Sequence, residues 1–152
     1  MVDFGDSGKY QEPKFIWNQT VGPTGLSFLN SSKLGSKYNN DMFVGDFHKG
    51  RIYDFHLNEQ RSGFDLHGSL TDKVANKNLE LNDVVFGEGF GGITDIKTGP
   101  DGNLYVLALH EINDPNWYSA DCDREKINNL THTCLSFSTS PIQGTIFKIS
   151  HK

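Results

Sequence analysis

The strongest constraint on the fold of this chain is an internal repeat. One copy opens with Gly22-Pro23-Thr24-Gly25-Leu26-Ser27-Phe28-Leu29, continues through Asp41-Met42-Phe43-Val44-Gly45-Asp46-Phe47 and closes with Gly50-Arg51-Ile52-Tyr53-Asp54-Phe55-His56-Leu57. A second opens with Gly92-Ile93-Thr94-Asp95-Ile96-Lys97, continues through Asn103-Leu104-Tyr105-Val106-Leu107-Ala108-Leu109 and closes with Gly144-Thr145-Ile146-Phe147-Lys148-Ile149. Each copy reads as three short strands: an inner one carrying a threonine, a middle one rich in Phe or Tyr, and a third opened by glycine. Residues 79–86 read as a further, outer strand. Short strands punctuated by Gly, Asn and Asp predict an all-β fold. A three- or four-stranded unit that repeats predicts a β-propeller, and this chain carries about two blades.

A blade buries its faces against both neighbours, so two blades alone leave apolar faces open. The expectation is therefore that residues 1–152 form part of a single longer propeller domain, completed by further blades. The alternative is self-association, in which three copies close a six-bladed ring.

The copies differ in their connections. Residues 110–143 form a long insertion between the second and third strands of the second copy, with one or two helical turns conceivable over 123–130. Residues 58–78 read as a polar, solvent-exposed loop. Pro100-Asp101-Gly102-Asn103 is a turn, with Pro fixing one φ and Gly supplying a conformation other residues avoid. Asp101 and Asn103 resemble half of a calcium loop, but the other ligand positions are missing.

Composition narrows the partners. Of 152 residues, 36% are hydrophobic and the net charge is −5, with 14 Lys and Arg that never form a run. This leaves no electrostatic footprint for nucleic acid. No apolar run is long enough to span a membrane. The start, Met1-Val2-Asp3-Phe4-Gly5-Asp6, has neither the basic nor the apolar region of a signal peptide. Cys122 and Cys134 bracket a polar segment; a disulfide between them would stabilise the fold by about 3 kcal/mol, whereas two free thiols would suit a cytosolic protein. Asn18-Gln19-Thr20, Asn30-Ser31-Ser32 and Asn129-Leu130-Thr131 are N-glycosylation sequons and agree with an extracellular or periplasmic, secreted setting.

Several blocks together resemble a known family. Thr98-Gly99-Pro100-Asp101-Gly102-Asn103-Leu104-Tyr105-Val106-Leu107 resembles a signature near the C-terminus of soluble pyrroloquinoline-quinone (PQQ)-dependent aldose dehydrogenases, the glucose/sorbosone dehydrogenase family. Pro13, Trp17 and Gly22-Pro23-Thr24-Gly25-Leu26 resemble its Pro…Trp…Ala-Pro-Ser-Gly-Met stretch. Phe43-Val44-Gly45-Asp46-Phe47 resembles its Phe-Val-Gly-Ala-Leu strand, and Gly144-Thr145-Ile146-Phe147-Lys148-Ile149 its last strand. The order and spacing of the blocks match along nearly the whole chain. The resemblance implies the C-terminal part of a six-bladed propeller that removes hydride from an aldose or similar alcohol, with PQQ as acceptor and calcium as support.

The departures from the pattern fall on the cofactor's expected partners. Where the family has two arginines in an Arg-x-Arg segment, suited to the quinone's carboxylates, this chain has Gly92 and Thr94. Where the family has a lysine after its Val-Gly-Ala-Leu strand, this chain has His48, followed by Lys49. The candidate cofactor-binding residues are thus Thr24, His48, Lys49 and Thr94, with no metal ligand assigned. His48, Lys49 and Arg51 read either as a remnant anion site or as an ordinary polar hairpin. Thr24 and Thr94 either offer hydroxyls to the channel or serve strand propensity and a local hydrogen bond. Asp46 and Asp95 either bind calcium or cap turns. Trp17 and Trp117 read as packing residues, although exposed Trp stacks on sugars.

The family's catalytic histidine lies in an earlier blade. The remaining histidines, His56, His67, His110, His132 and His151, read as solvated or strand-surface residues. The resemblance therefore predicts a sugar dehydrogenase-like piece that is inactive alone. The alternative is a non-catalytic extracellular propeller module that binds protein or carbohydrate, as hedgehog-interacting relatives of the family do, with the cysteine-bearing loop as recognition element.

Overall fold

The computed structural model describes residues 8, 10–111, 126–127, 130–137 and 142–151. Its strands are β1 (Ile16–Trp17), β2 (Pro23–Phe28), β3 (Met42–Asp46), β4 (Arg51–Phe55), β5 (Val74–Ala75), β6 (Val85–Glu88), β7 (Gly92–Thr98), β8 (Leu104–Glu111), β9 (Lys126–Ile127), β10 (Leu130–Phe137) and β11 (Ile142–His151). Short 3₁₀ turns at Ser36–Tyr38, Gly68–Asp72 and Asn78–Asp83 are the only helical pieces among the described residues.

Two antiparallel sheets dominate. The first has the order β2-β3-β4-β6-β9 and the second β10-β11-β8-β7. The fold is all-β and has the architecture of part of a β-propeller: two blades side by side, with β2 and β7 as equivalent inner strands. The equivalence extends to irregularities. The β2–β3 register shifts between Pro23 and Leu26, and the β7–β8 register between Ile93 and Asp95. Both bulges therefore fall at the repeated threonines, Thr24 and Thr94, and bulges of this kind bend a strand and re-aim a side chain.

The blades share one core. Phe43, Ile52 and Phe86 of the first blade bury against Ile93, Ile96, Leu104, Val106, Ala108, Phe147 and Ile149 of the second. Period-2 alternation does this: along β8, Leu104, Val106 and Ala108 face the neighbour, whereas Leu107 and Leu109 stay exposed. Fully burying each such apolar side chain contributes roughly 1.5–3 kcal/mol. Edge-to-face ring pairs, Phe43–Phe86 at 5.0 Å and Phe90–Phe147 at 5.1 Å, add directional contacts.

Close approach of the inner strands requires glycine. A Cβ on Gly25 would stand 2.6 Å from the Ile96 nitrogen and 2.8 Å from the Asp95 Cα, and one on Gly45 would stand 2.4 Å from Ile93 Cγ2. Hydroxyls stitch the same seam: Thr24 Oγ1 donates to the Ile93 carbonyl, and Thr98 Oγ1 donates to the Phe28 carbonyl at 3.2 Å.

Three expectations need correction. Residues 79–86 are not one strand. Asn78–Asp83 forms a 3₁₀ turn, where Glu80 accepts hydrogen bonds from the Asn76 and Lys77 amides, and only Val85–Glu88 extends as β6. Residues 58–78 are not simply a solvated loop. Leu70 and Ala75 from this segment bury with Phe15, Val44, Tyr53 and Phe55 on the other face of the first blade, and β5 pairs in parallel with β1. Within 110–143, residues 130–137 form a regular strand, β10, which pairs with β11 from Leu130↔His151 to Phe137↔Gly144. Cys134 lies in that strand and not in a loop. Lys126–Ile127 is a strand beside β6 and not part of a helical turn. The rest of 123–130, together with Cys122, Trp117 and Asn129, lies outside the described residues, and so does any Cys122–Cys134 bridge.

Trp17 packs as expected, against Phe15 at 4.9 Å and Tyr53 at 5.4 Å. The turn at Asp101 is also as expected. Gly102, at φ +77°, donates to the Gly99 carbonyl, and Asp101 accepts from the Asn103 amide and side chain, Tyr105 and Lys148.

Candidate functional site

The turn after β3 carries two of the four predicted cofactor-facing residues, His48 and Lys49. It runs from Asp46 to Gly50, which takes φ +59° and donates its amide to the Asp46 carbonyl at 3.2 Å. Glycine is required at this position because a Cβ would stand 2.7 Å from the Gly91 carbonyl oxygen. Asp46 is fully buried. Its carboxylate accepts from the Gly22 amide at 3.0 Å, the His48 amide at 2.8 Å and the Tyr53 hydroxyl at 3.3 Å. Those donors account for a charge that burial alone would make costly. Burial, with the Asp46 carboxylate beside it, holds the Tyr53 phenol well above its ordinary range. Asp46 thus ties the turn to β2. Asp95 accepts from the Ile96 amide at 2.9 Å and pairs with Lys97 at 3.1 Å.

His48 and Lys49 are exposed at the tip of this turn. The His48 ring lies over Gly22, where a Cβ would meet its Cδ2 at 2.8 Å. Arg51 leaves the group, because its Nε pairs with Glu88 at 3.2 Å across the β4–β6 edge. Thr24 donates to the Ile93 carbonyl, within 3.4 Å of the Gly45 carbonyl as well, and Thr94 donates to the Leu107 carbonyl at 3.1 Å. Both hydroxyl protons are therefore directed to backbone oxygens.

Gly92 stands where the resemblance expects an arginine, and the space beside it is filled. A Cβ there would meet Phe47 Cε2 at 2.9 Å, Phe47 Cδ2 at 3.0 Å and the Leu109 carbonyl at 3.2 Å. An aromatic ring thus occupies the position through which a long cationic side chain would have to leave the strand.

A second cluster lies at the opposite end of β3 and was not anticipated. Asp41 precedes β3, Asp54 lies in β4 opposite Phe43, and His56 follows the end of β4. Asp54 and His56, two residues apart, share one side of the extended chain. His56 Nδ1 stands 2.7 Å from Asp41 Oδ2, so His56 is not merely a solvated strand residue; its side chain is half-exposed while that of Asp41 is buried. Burial, reinforced by the Asp41 charge, pushes the Asp54 carboxyl up to about 7. Burial also raises Asp41, against the opposing pull of His56. His56 is raised despite partial burial, because Asp41 and Asp54 favour its charged form. The sequence carries only a faint signal for this cluster, Asp54-Phe55-His56, because its third member is thirteen positions upstream. His67 is exposed and 3.7 Å from Asp65, and His151 is exposed.

No helix among the described residues is long and apolar enough to cross a membrane. No curated protein matches the chain significantly. Its shape is similar to that of two solved structures described as glucose dehydrogenase. One is 13% identical, with a TM-score of 0.43, and the match covers 86% of this chain and 24% of that one. The other is 15% identical, with a TM-score of 0.40, and covers 86% of this chain and 26% of that one. The chain thus spans about a quarter of the length of the structures it matches. The family model of glucose/sorbosone dehydrogenase matches residues 2–113, which include strands β1 to β8. The chain belongs to the glucose/sorbosone dehydrogenase family.

Proposed function

We propose that this chain is a two-blade, C-terminal portion of a sugar dehydrogenase-like propeller that supplies wall and scaffold, and that it oxidises no sugar by itself. The observation that carries this reading is the Phe47 ring packed where a side chain on Gly92 would begin. An anionic quinone needs forked, cationic donors for its carboxylates. At the corresponding positions this chain offers no side chain on Gly92 and a Thr94 hydroxyl committed to Leu107. His48 and Lys49 are the remaining candidates at the turn, and Thr24 is held by the neighbouring blade. These residues do not fit PQQ as a tightly held group, and no step of sugar oxidation is assigned to them. Calcium finds no better support here, since Asp46 is occupied by three protein donors.

The test is a titration of the 152-residue chain with PQQ, with and without Ca²⁺, followed by dye reduction with aldose substrates. Neither saturable binding nor turnover is expected. PQQ-dependent turnover would refute the reading.

The same Phe47–Gly92 contact favours a second reading, a non-catalytic module that binds carbohydrate or protein. On that reading the module is secreted, with glycans at the exposed Asn18 and Asn30 and a Cys122–Cys134 bridge. Its open blade faces are completed by further blades or by other copies of the chain. Sugar or protein capture independent of PQQ, lost when the cysteine-bearing segment is altered, distinguishes it from the scaffold reading.

A further inference from the structure

The cluster at the far end of β3 has chemistry that neither the blade scaffold nor the family match uses. Asp41, Asp54 and His56 each offer one ligand atom, and these atoms all lie within 4.8 Å of one another. The Asp41 side chain is 7% exposed, yet its Oδ2 accepts no well-directed hydrogen bond, although His56 Nδ1 stands 2.7 Å away. Asp54 Oδ1 is likewise buried without a donor. Two carboxylates gathered in one partly buried cluster repel each other, and the imidazole beside Asp41 offsets only one of the two charges, so a cation among them is favoured. The Lys37 ammonium acts on Asp54 only through its charge, because it sits over the Tyr38 ring, 4.5 Å from its centroid.

We propose that Asp41, Asp54 and His56 bind a divalent transition-metal ion of the Zn²⁺ class. Two carboxylates supply the charge that holds a dication. The imidazole nitrogen selects a borderline metal over Ca²⁺ or Mg²⁺, which prefer all-oxygen sets. Three protein ligands leave at least one coordination position open. That position has somewhere to face: an open cleft of about 450 Å³ is lined by Asp54 and His56 together with Asp65, His67, Leu70 and Asp83. The half-exposed His56 gives the ion a route in from solvent.

The test uses the full 152-residue chain after removal of metals with a chelator. Calorimetric titration with ZnCl₂ is expected to show one saturable site per chain, with a rise in Tm as the ion binds the folded state. Asp54→Asn and His56→Gln each remove one ligand and should weaken Zn²⁺ by more than the roughly 10–100-fold that outer-shell changes cost. A measurement on the unaltered chain guards against variants that fail to fold: Zn²⁺ should shift the ¹⁵N resonance of His56 Nδ1. The proposal is overturned by the absence of a saturable site, or by a His56 resonance indifferent to Zn²⁺. It is also overturned by folded variants that keep full affinity, which would move the ion elsewhere, or by stabilisation with Ca²⁺ and none with Zn²⁺.

Discussion

Replacing Gly25 with alanine tests whether the two blades meet as closely as their inner strands indicate. Gly25 does not adopt a left-handed φ, so alanine meets no backbone strain there. Considered alone, the substitution would stabilise the protein by about 0.4–1 kcal/mol, because alanine restricts the unfolded chain. The added Cβ, however, would lie 2.6 Å from the Ile96 nitrogen and 2.8 Å from both the Asp95 carbonyl carbon and its Cα, where ordinary contact begins at 3.4 Å. All three atoms are backbone, so no side-chain rotation relieves the clash. The inner strands must part by most of an ångström, loosening the Thr24 bond to Ile93 and the packing of Ile93 and Ile96. Overpacking of this kind costs about 1–3 kcal/mol, so the net change is a destabilisation of up to about 2.6 kcal/mol, centred on about 1.3 kcal/mol. For a chain near this length the central value lowers Tm by about 3–5 °C. Gly63→Ala is the matched control. Its Cβ would meet only Asn58 Nδ2, at 3.7 Å, and its φ is not left-handed, so its stability should hold or rise by about 0.4–1 kcal/mol. Calorimetry and urea denaturation on the two variants decide the matter. A Gly25→Ala protein as stable as Gly63→Ala would refute the close approach of β2 and β7.

Two further predictions concern single groups. Asp54 is raised to about 7 from an ordinary 3.8, and Asp41 and His56 are also raised, so the folded state holds more protons than the unfolded state between those values. In metal-free, chelator-treated buffer, stability should therefore fall as pH rises from about 4 to 7, by about 1.4 kcal/mol per pH unit for each extra proton held. Asp54→Asn should flatten that slope, and denaturation midpoints across the range would show it; an unchanged slope would place the linked proton elsewhere. Thr24→Val removes the hydroxyl that bridges the blades and leaves the Ile93 carbonyl short of a donor, a loss of about 1–3 kcal/mol. Urea midpoints measure that loss, and a variant within experimental error of the parent would show that the hydroxyl contributes nothing.

The repeat unit and most of its strands are legible in the order of residues alone. Alternation of apolar residues and the turn-forming Gly50 and Gly102 are local signals, and local signals survive in one dimension. Pro100-Asp101-Gly102-Asn103 is a turn for the same reason. Residues 79–86 read as one strand because Leu79, Leu81 and Val84 fit more than one periodicity in a short run, whereas in the fold Glu80 accepts from the Asn76 and Lys77 amides and Asn78–Asp83 forms a 3₁₀ turn. The burial of Leu70 and Ala75 depends on a packing partner, the outer face of the first blade, that no pattern within residues 58–78 reveals.

Which distant residues meet depends on the folded arrangement of the strands. Phe47 covers Gly92, Gly25 touches Ile96, Thr24 bridges to Ile93, and Asp41 converges with Asp54 and His56. Each meeting depends on strand register or on blade-to-blade packing, and a register shift of one residue would turn every side chain of a strand to its other face. A chemistry-bearing cluster assembled across such a seam leaves only isolated polar residues in the sequence, because the distances that make it a site exist only once the strands have paired.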